Sequence, residues 1–318
     1  MPPLLFIGIV AGLMSAVLYG TAATGSVFSV FPVYLSQLPL FMAGLSLGGS
    51  ATLIAAGAGV IAIAAAGGPM LSLAYFVVNA AAPLLLCQVA NLSREVTGPD
   101  GKTHREYYPA GLMFAWLSGL GIAVMLLLAL YVHSYEGGLE AWIPQILEVE
   151  RLTQTILQAQ MQTGSTPVDV AGLQQKLILF ALPGLALFWA LICIGNGALA
   201  QRLLVRLGRN IRPSPELLNM SLPGFMLWPL AGGLILAFIP GDIGLTGLVV
   251  AVLAAIPYFF LGLATVHVIS HRLPGRAFTL AGVYILLMAL GWPFLLIVGL
   301  GIIEQFANLR LNTKVASP

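Results

Sequence analysis

The sequence predicts an all-α fold, a polytopic bundle of about nine or ten membrane segments with an extracytoplasmic helical insertion, on three observations. Hydrophobic residues make up 59% of the 318 positions and charged residues 8%, against about 25% charge in soluble domains. The apolar residues run on for about 20 positions at a time, the length that carries a helix across roughly 30 Å of hydrocarbon. Those runs do not alternate apolar with polar residues, as the strands of a membrane barrel do. Thirteen basic and eleven acidic residues are too few to clothe a soluble core of this size. The lipid bilayer is therefore the expected solvent and first partner, and the chain reads as one integral membrane domain over 1–318.

Residues 1–92 contain no Lys, Arg, Asp or Glu. MPP supplies no positive leader before the first apolar run, so that run is expected to remain as an uncleaved span. Glycine and proline divide the stretch into Leu4–Ala22, Phe28–Leu47, Ala51–Ala66 and Met70–Ala90, with breaks at Thr24-Gly25-Ser26, Gly48-Gly49-Ser50 and Gly67-Gly68-Pro69. The pairs Gly8/Gly12 and Gly44/Gly48 have the spacing that lets helices approach closely in lipid, where hydrophobicity does not drive association.

Asn91–Tyr108 is a charged loop with a turn signal at TGPDGK, and a fifth span follows from Pro109 to His133. Ser134–Gln174 carries Glu136, Glu140, Glu148, Glu150 and Asp169 but only Arg151 as a basic residue. Leu139, Trp142, Ile143, Ile146, Val149, Leu152 and Ile156 recur at three and four, which predicts an amphipathic helix over 139–157. Its acidic face argues against contact with anionic cytoplasmic lipid. Thr166-Pro167-Val168-Asp169 predicts a helix start, with Thr166 as cap and the acid at the third position.

The sixth span, Leu177–Leu199, runs into QRLLVRLGRNIRP, which holds Arg202, Arg206, Arg209 and Arg212. Loops rich in Lys and Arg stay cytoplasmic. Placing Asn91–Tyr108, Gln201–Pro215 and His271–Arg276 inside gathers nine basic residues and leaves two, Arg151 and Lys176, in the outer segments. That arrangement also puts the N-terminus inside. A seventh span, Leu222–Ile239, turns at Pro240-Gly241-Asp242 into an eighth, Leu245–Ser270. The last apolar run, 278–309, reads either as one span or as a pair broken at Gly291-Trp292-Pro293. The proline and the positive tail favour the pair.

Candidate sites are the polar groups that hydrocarbon penalises. Asn79 and Asn196 lie amid small apolar residues, and Tyr34 and Gln37 stand between Pro32 and Pro39. They suit a substrate-binding role, and hydrogen bonding between helices accounts for them as well. His267 and His271 share a helix face at metal-chelating spacing, without a third ligand in view. Glu304, the acid of the last run, suits proton coupling or an ion pair with Arg310 or with the cluster Arg202, Arg206, Arg209 and Arg212. Cys87 and Cys193 sit in apolar runs as small hydrophobes. No basic run alternates with aromatics, so nucleic acid is not an expected partner. No phosphate loop, CxxC or nucleophile–base set is present, so neither a cofactor nor an enzymatic activity is expected.

From Arg202 onward the order of LPGFMLWPL (222–230), LGLATVHVI (261–269) and GLGIIEQFANLRL (299–311) resembles the YybS-like family of bacterial integral membrane proteins. Members of that family share a GxxD/E…R ending and have no established activity; Gly301, Glu304 and Arg310 stand at that ending. The N-terminal part is similar, in texture, to the substrate-binding subunits of energy-coupling-factor vitamin transporters and to the rod-shape protein MreD. The resemblance implies a multi-pass protein of the bacterial inner membrane and transfers no catalytic residue. The expected function is a substrate-binding or transport subunit for a small molecule, energised by a protein partner. The alternative is a non-enzymatic scaffold of an envelope complex. The charge distribution makes its own prediction: in intact cells, Arg209→Cys stays unlabelled by a membrane-impermeant maleimide and becomes labelled after permeabilisation; labelling before permeabilisation would reverse the orientation.

Overall fold

Proline and glycine set the helix boundaries in this chain. In the computed structural model, which describes residues 3–97, 102–134, 138–146, 151, 154–156, 158, 169–271 and 273–310, α1 (Pro3–Gly20) leads through short 3-10 turns to α2 (Val30–Tyr34) and α3 (Leu38–Leu47). α4 (Gly49–Tyr75) passes into a π turn at Phe76–Ala80 and then α5 (Ala81–Ala90). α4 is not one rod: Gly68 has φ 83° and ψ 177°, just before Pro69. A straight helix would hold Gly49 and Gln88 about 58 Å apart, yet a Cβ at Gly49 would overlap the Gln88 side-chain amide. The chain therefore doubles back at Gly68, the break expected from Gly67-Gly68-Pro69.

Two compact units form. The first comprises Met1–Leu117, Trp189–Pro223 and Pro257–Pro318, and the second Ser118–Phe188 and Gly224–Ile256. The core of the first is built largely of alanine: Ala16, Ala43, Ala51, Ala55, Ala56 and Ala80 are buried around Leu40, Ile63 and Tyr75. Such small side chains let backbones touch. A Cβ at Gly12 would overlap the Ala55 carbonyl oxygen, one at Gly8 would lie 2.8 Å from Ile54 Cγ2, and one at Gly44 would overlap Thr52 Oγ1. Gly48, by contrast, takes φ 98° at a turn and faces open space.

Asn91–Tyr108, read as a loop, is in part a β-hairpin: β1 (Ser93–Thr97) pairs antiparallel with β2 (Thr103–Tyr107), Glu95 opposite Arg105 and Arg94 opposite Glu106. Cross-strand ion pairs at 2.7 Å (Arg94–Glu106) and 3.9 Å (Arg105–Glu95) lie in the open, where such pairs add little. The fold class is thus helical with one small hairpin, which spans of this hydrophobicity overshadow in the sequence.

α6 (Ala110–His133) matches the fifth span. α7 (Gly138–Ile146) begins the amphipathic insertion; most of 147–157, and Thr166–Val168, lie outside the described residues. α8 (Val170–Arg206) begins just after the predicted helix start at 166–169, runs through the span Leu177–Leu199 and continues to Arg206. Its cap is Asp169, whose Oδ1 accepts the Gly172 N–H at 3.0 Å, a correction to the reading of that acid as a third-position residue. At 37 residues it reaches about 55 Å, so Arg202 and Arg206 are helical and not loop residues.

In the second unit, α9 (Leu227–Leu236) replaces the predicted span Leu222–Ile239. Pro223 and the 3-10 turn Gly224–Met226 hold off its start, and ten residues cover about 15 Å, half the hydrocarbon. Gly241, at φ 79°, turns the chain into α10 (Asp242–Ser270). The two helices meet closely, since a Cβ at Gly233 would come 2.6 Å from Ala251 N. Asp242 Oδ1 also accepts the Glu140 N–H at 3.1 Å, capping α7.

The final run divides into α11 (Arg276–Leu290) and α12 (Pro293–Ala307), with Gly291 at φ 70° and Pro293 in the first turn of α12. Among the described residues six helical stretches are long and apolar enough to cross a membrane, and Gly224–Leu236, α11 and α12 are shorter apolar helices. Their outer faces carry bare hydrocarbon, with Met288 89%, Phe278 86% and Ile235 69% exposed. Exposure on that scale requires an apolar solvent. The chain is an integral membrane protein.

Gly12→Ala is expected to lower the melting temperature of the detergent-solubilised protein by several degrees, because backbone blocks the new methyl. Gly57→Ala, whose Cβ meets nothing within 4 Å, should leave it equal or higher. Equal losses in both variants would refute the packing argument.

Candidate functional site

Prolines free the carbonyls on which the polar centre of the first unit is built. In a continuous helix the Leu38 N–H would bond Tyr34 O; here it bonds Leu35 O at 3.0 Å. The next residue is Pro39, which has no N–H. Tyr34 O accepts instead from Asn196 Nδ2 of α8 at 2.7 Å, and the same nitrogen donates to Ile192 O at 3.0 Å.

The π turn after α4 repeats the device. Ala81 N–H bonds Phe76 O, and in that register Val78 O would face Pro83. Val78 O accepts from Gln37 Nε2 at 3.1 Å and from Trp189 Nε1 at 2.9 Å. π turns of this kind gather at functional sites.

Around these carbonyls lies a buried chain of side-chain hydrogen bonds. Ser36 Oγ donates to Asn79 Oδ1 at 2.6 Å, Asn79 Nδ2 to Ser15 Oγ at 3.0 Å, and Ser15 Oγ and Tyr75 OH share a bond of 2.8 Å. Tyr34, Gln37, Asn79 and Asn196 are thus brought into one cluster. Asn79 spends both amide atoms on protein partners and ties α1, the 35–37 turn and the π turn together. Among the described residues Gln37 Oε1 and Asn196 Oδ1 are buried without a hydrogen-bond partner. The Cys193 thiol faces the Gln37 amide and is a weak donor at best. Ser15, Tyr75 and Trp189 were not singled out in the sequence; each is ordinary in a membrane helix, and no spacing links them.

Further along α8 the same unit holds a cavity of about 830 Å³. Phe41, Leu45, Leu86, Met113, Phe114 and Val205 form its apolar wall; Gln201, Arg202, Arg206, Arg212 and Ser214 are its polar part, and among the described residues no Asp or Glu lines it. Arg212, read from the sequence as a mark of the aqueous face, is 5% exposed. Its Nη1 donates to Ala90 O at 3.0 Å and Nη2 to Tyr108 O at 3.4 Å, and its guanidinium lies 5.6 Å from the centre of the Tyr107 ring.

The Arg212 segment is fixed from several sides. Gln201 Nε2 donates to Arg212 O at 2.9 Å, Ile211 N to Leu45 O at 3.1 Å, and Tyr107 OH to Ile211 O at 3.0 Å. Burial draws the Arg212 pKa below the ordinary arginine value, although a guanidinium stays protonated. Arg202 and Arg206 are exposed and have neither an ion-pair nor a hydrogen-bond partner among the described residues. Arg209, beyond the helix, does not line the cavity.

Glu304 is apart from this cluster. Its Oε1 accepts from Arg310 Nε at 2.7 Å, with side-chain exposures of 2% and 12%. Arg310 also donates to Leu218 O at 2.8 Å and Met220 O at 2.7 Å, pinning the chain after α12 to 217–220. Asn308, at φ 49°, makes the turn that allows it. His267 Nδ1 lies 2.9 Å from Leu263 O of its own helix and Nε2 3.5 Å from Tyr284 OH, while His271 is exposed. Among the described residues no three His, Cys, Asp or Glu gather as metal ligands.

No protein-family model, curated protein or solved structure matches this chain.

The cavity offers an apolar molecule a close-fitting wall and an anion three guanidinium groups, one of them already desolvated. The Glu304–Arg310 pair acts at a distance from it as a clamp. Glu304→Ala would strand a largely buried guanidinium, a loss of about 3–5 kcal/mol for a buried pair. The expected readout is a lower melting temperature with faster amide exchange at Leu217–Met220; unchanged exchange there would remove the clamp.

Proposed function

We propose that this protein is a membrane subunit of transport type that binds a small molecule in the cavity beside α8, with energy supplied by a separate protein. The observation that carries this reading is the cavity. Its volume of about 830 Å³ falls in the range of about 300–1,000 Å³ typical of ligand pockets, and its apolar wall with a few convergent polar groups has their chemistry. The neighbouring cluster supports it, because helices broken near proline, with carbonyls taken up by side chains, are how membrane transporters build sites within the bilayer. The sequence carries no phosphate-binding Gly-Lys loop, so ATP-driven transport would need a partner. The scaffold alternative rests on 139–157 or on the arginine loop; of the former, 147–150, 152, 153 and 157 lie outside the described residues.

Ala198 lines the cavity, and Ala198→Phe would fill part of it. Thermal-shift measurements on the detergent-solubilised protein, across vitamins, metal ions and small amphiphiles, should find a stabilising ligand whose effect the variant loses. A panel without any stabilising compound, or one that stabilises the variant equally, would overturn the reading.

A further inference from the structure

We propose that the molecule held in this cavity is an anionic amphiphile, with a phosphate or carboxylate head on Arg202, Arg206 and Arg212 and an apolar tail along Phe41, Leu86 and Phe114. The inference deepens the binding reading above and rests on it. Three like charges converge on a cavity whose lining, among the described residues, holds no carboxylate. Arg212 is buried, and among the described residues its charge meets carbonyl dipoles, the Met113 sulfur and a tyrosine face but no carboxylate. A charge removed from water without a counter-charge is costly, and an anion at this end of the cavity supplies the missing partner.

Guanidinium groups match the oxygens of phosphate and carboxylate in geometry as well as charge, and basic pockets between membrane helices bind acidic lipid head groups. A free inorganic anion would engage the arginines but leave the apolar wall empty. A tail covers that wall. The head chemistry is shared by bilayer lipids and soluble anions, and the experiment separates these sources.

Delipidated protein in neutral detergent would be titrated with dioleoyl phosphatidic acid, dioleoyl phosphatidylcholine and inorganic phosphate, with binding read by native mass spectrometry. The variants are Arg202→Gln/Arg206→Gln, whose exposed side chains anchor nothing in the fold, and Ala198→Phe. Phosphatidic acid is expected to bind about tenfold or more tightly than phosphatidylcholine, and phosphate alone to bind far more weakly. The double arginine variant should lose about tenfold for phosphatidic acid, the scale of one charge-assisted hydrogen bond, with no change for phosphatidylcholine. Ala198→Phe should weaken both lipids.

Lipid binding that ignores head-group charge, is lost in Ala198→Phe and persists in the arginine variant would overturn the anionic head while leaving the cavity reading intact. Preference for phosphatidic acid that survives Ala198→Phe would place binding on the outer surface and overturn both. Inorganic phosphate binding as tightly as phosphatidic acid would overturn the tail.

Discussion

A backbone carbonyl freed inside hydrocarbon must find a donor, and the centre of the first unit is organised by that requirement. Tyr34 O loses its helical donor because the Leu38 N–H turns to Leu35 O just before Pro39, and in the π register Val78 O faces Pro83, which has no N–H. Asn196, Gln37 and Trp189 supply the donors. These bonds tie α8 to the 30–37 segment and to the π turn, which are far apart in sequence. The net worth of one such bond in a membrane is modest, about 0.6 kcal/mol on average. Leaving the carbonyl unpaired would cost more, so what the side chains protect against exceeds what they add.

The two buried arginines solve a second problem differently. Arg310 meets a carboxylate and two carbonyls, a complete set that spends its charge on structure. Arg212 meets carbonyls and an aromatic face, with no carboxylate among the described residues. The first is a clamp and the second an open electrostatic position beside a cavity. Alanine and glycine complete the frame, because contacts such as Gly12 on the Ala55 carbonyl bring the helices close enough for short polar side chains to reach across.

Much of this was legible in advance where a local rule had no competitor. The breaks at Gly68 and Gly291 follow from a glycine one or two residues before a proline, and the lipid environment follows from apolar runs almost free of charge. Elsewhere tertiary or local effects outweighed the pattern. Leu222–Ile239 is apolar enough to span, but Pro223 and the 3-10 turn shorten it to a ten-residue helix. The 93–107 hairpin is set by cross-strand pairing around TGPDGK, a non-local pattern that a turn signal alone does not reveal. Asp169 caps α8 because its side chain reaches Gly172, a geometry that does not distinguish it in sequence from a first-turn acid.

The candidate residues divide in the same way. Asn79, Asn196, Gln37 and Tyr34 stand out in sequence because polarity inside a span is costly wherever it falls. Composition and spacing determined the solvent, the helical class and which polar groups required an explanation. Their convergence, the burial of Arg212 and the cavity beside it were decided by tertiary structure alone. Each depends on which distant helix supplies the facing surface, and one chain's linear order carries no distance between residues such as Asn79 and Ser15 until the backbone has folded.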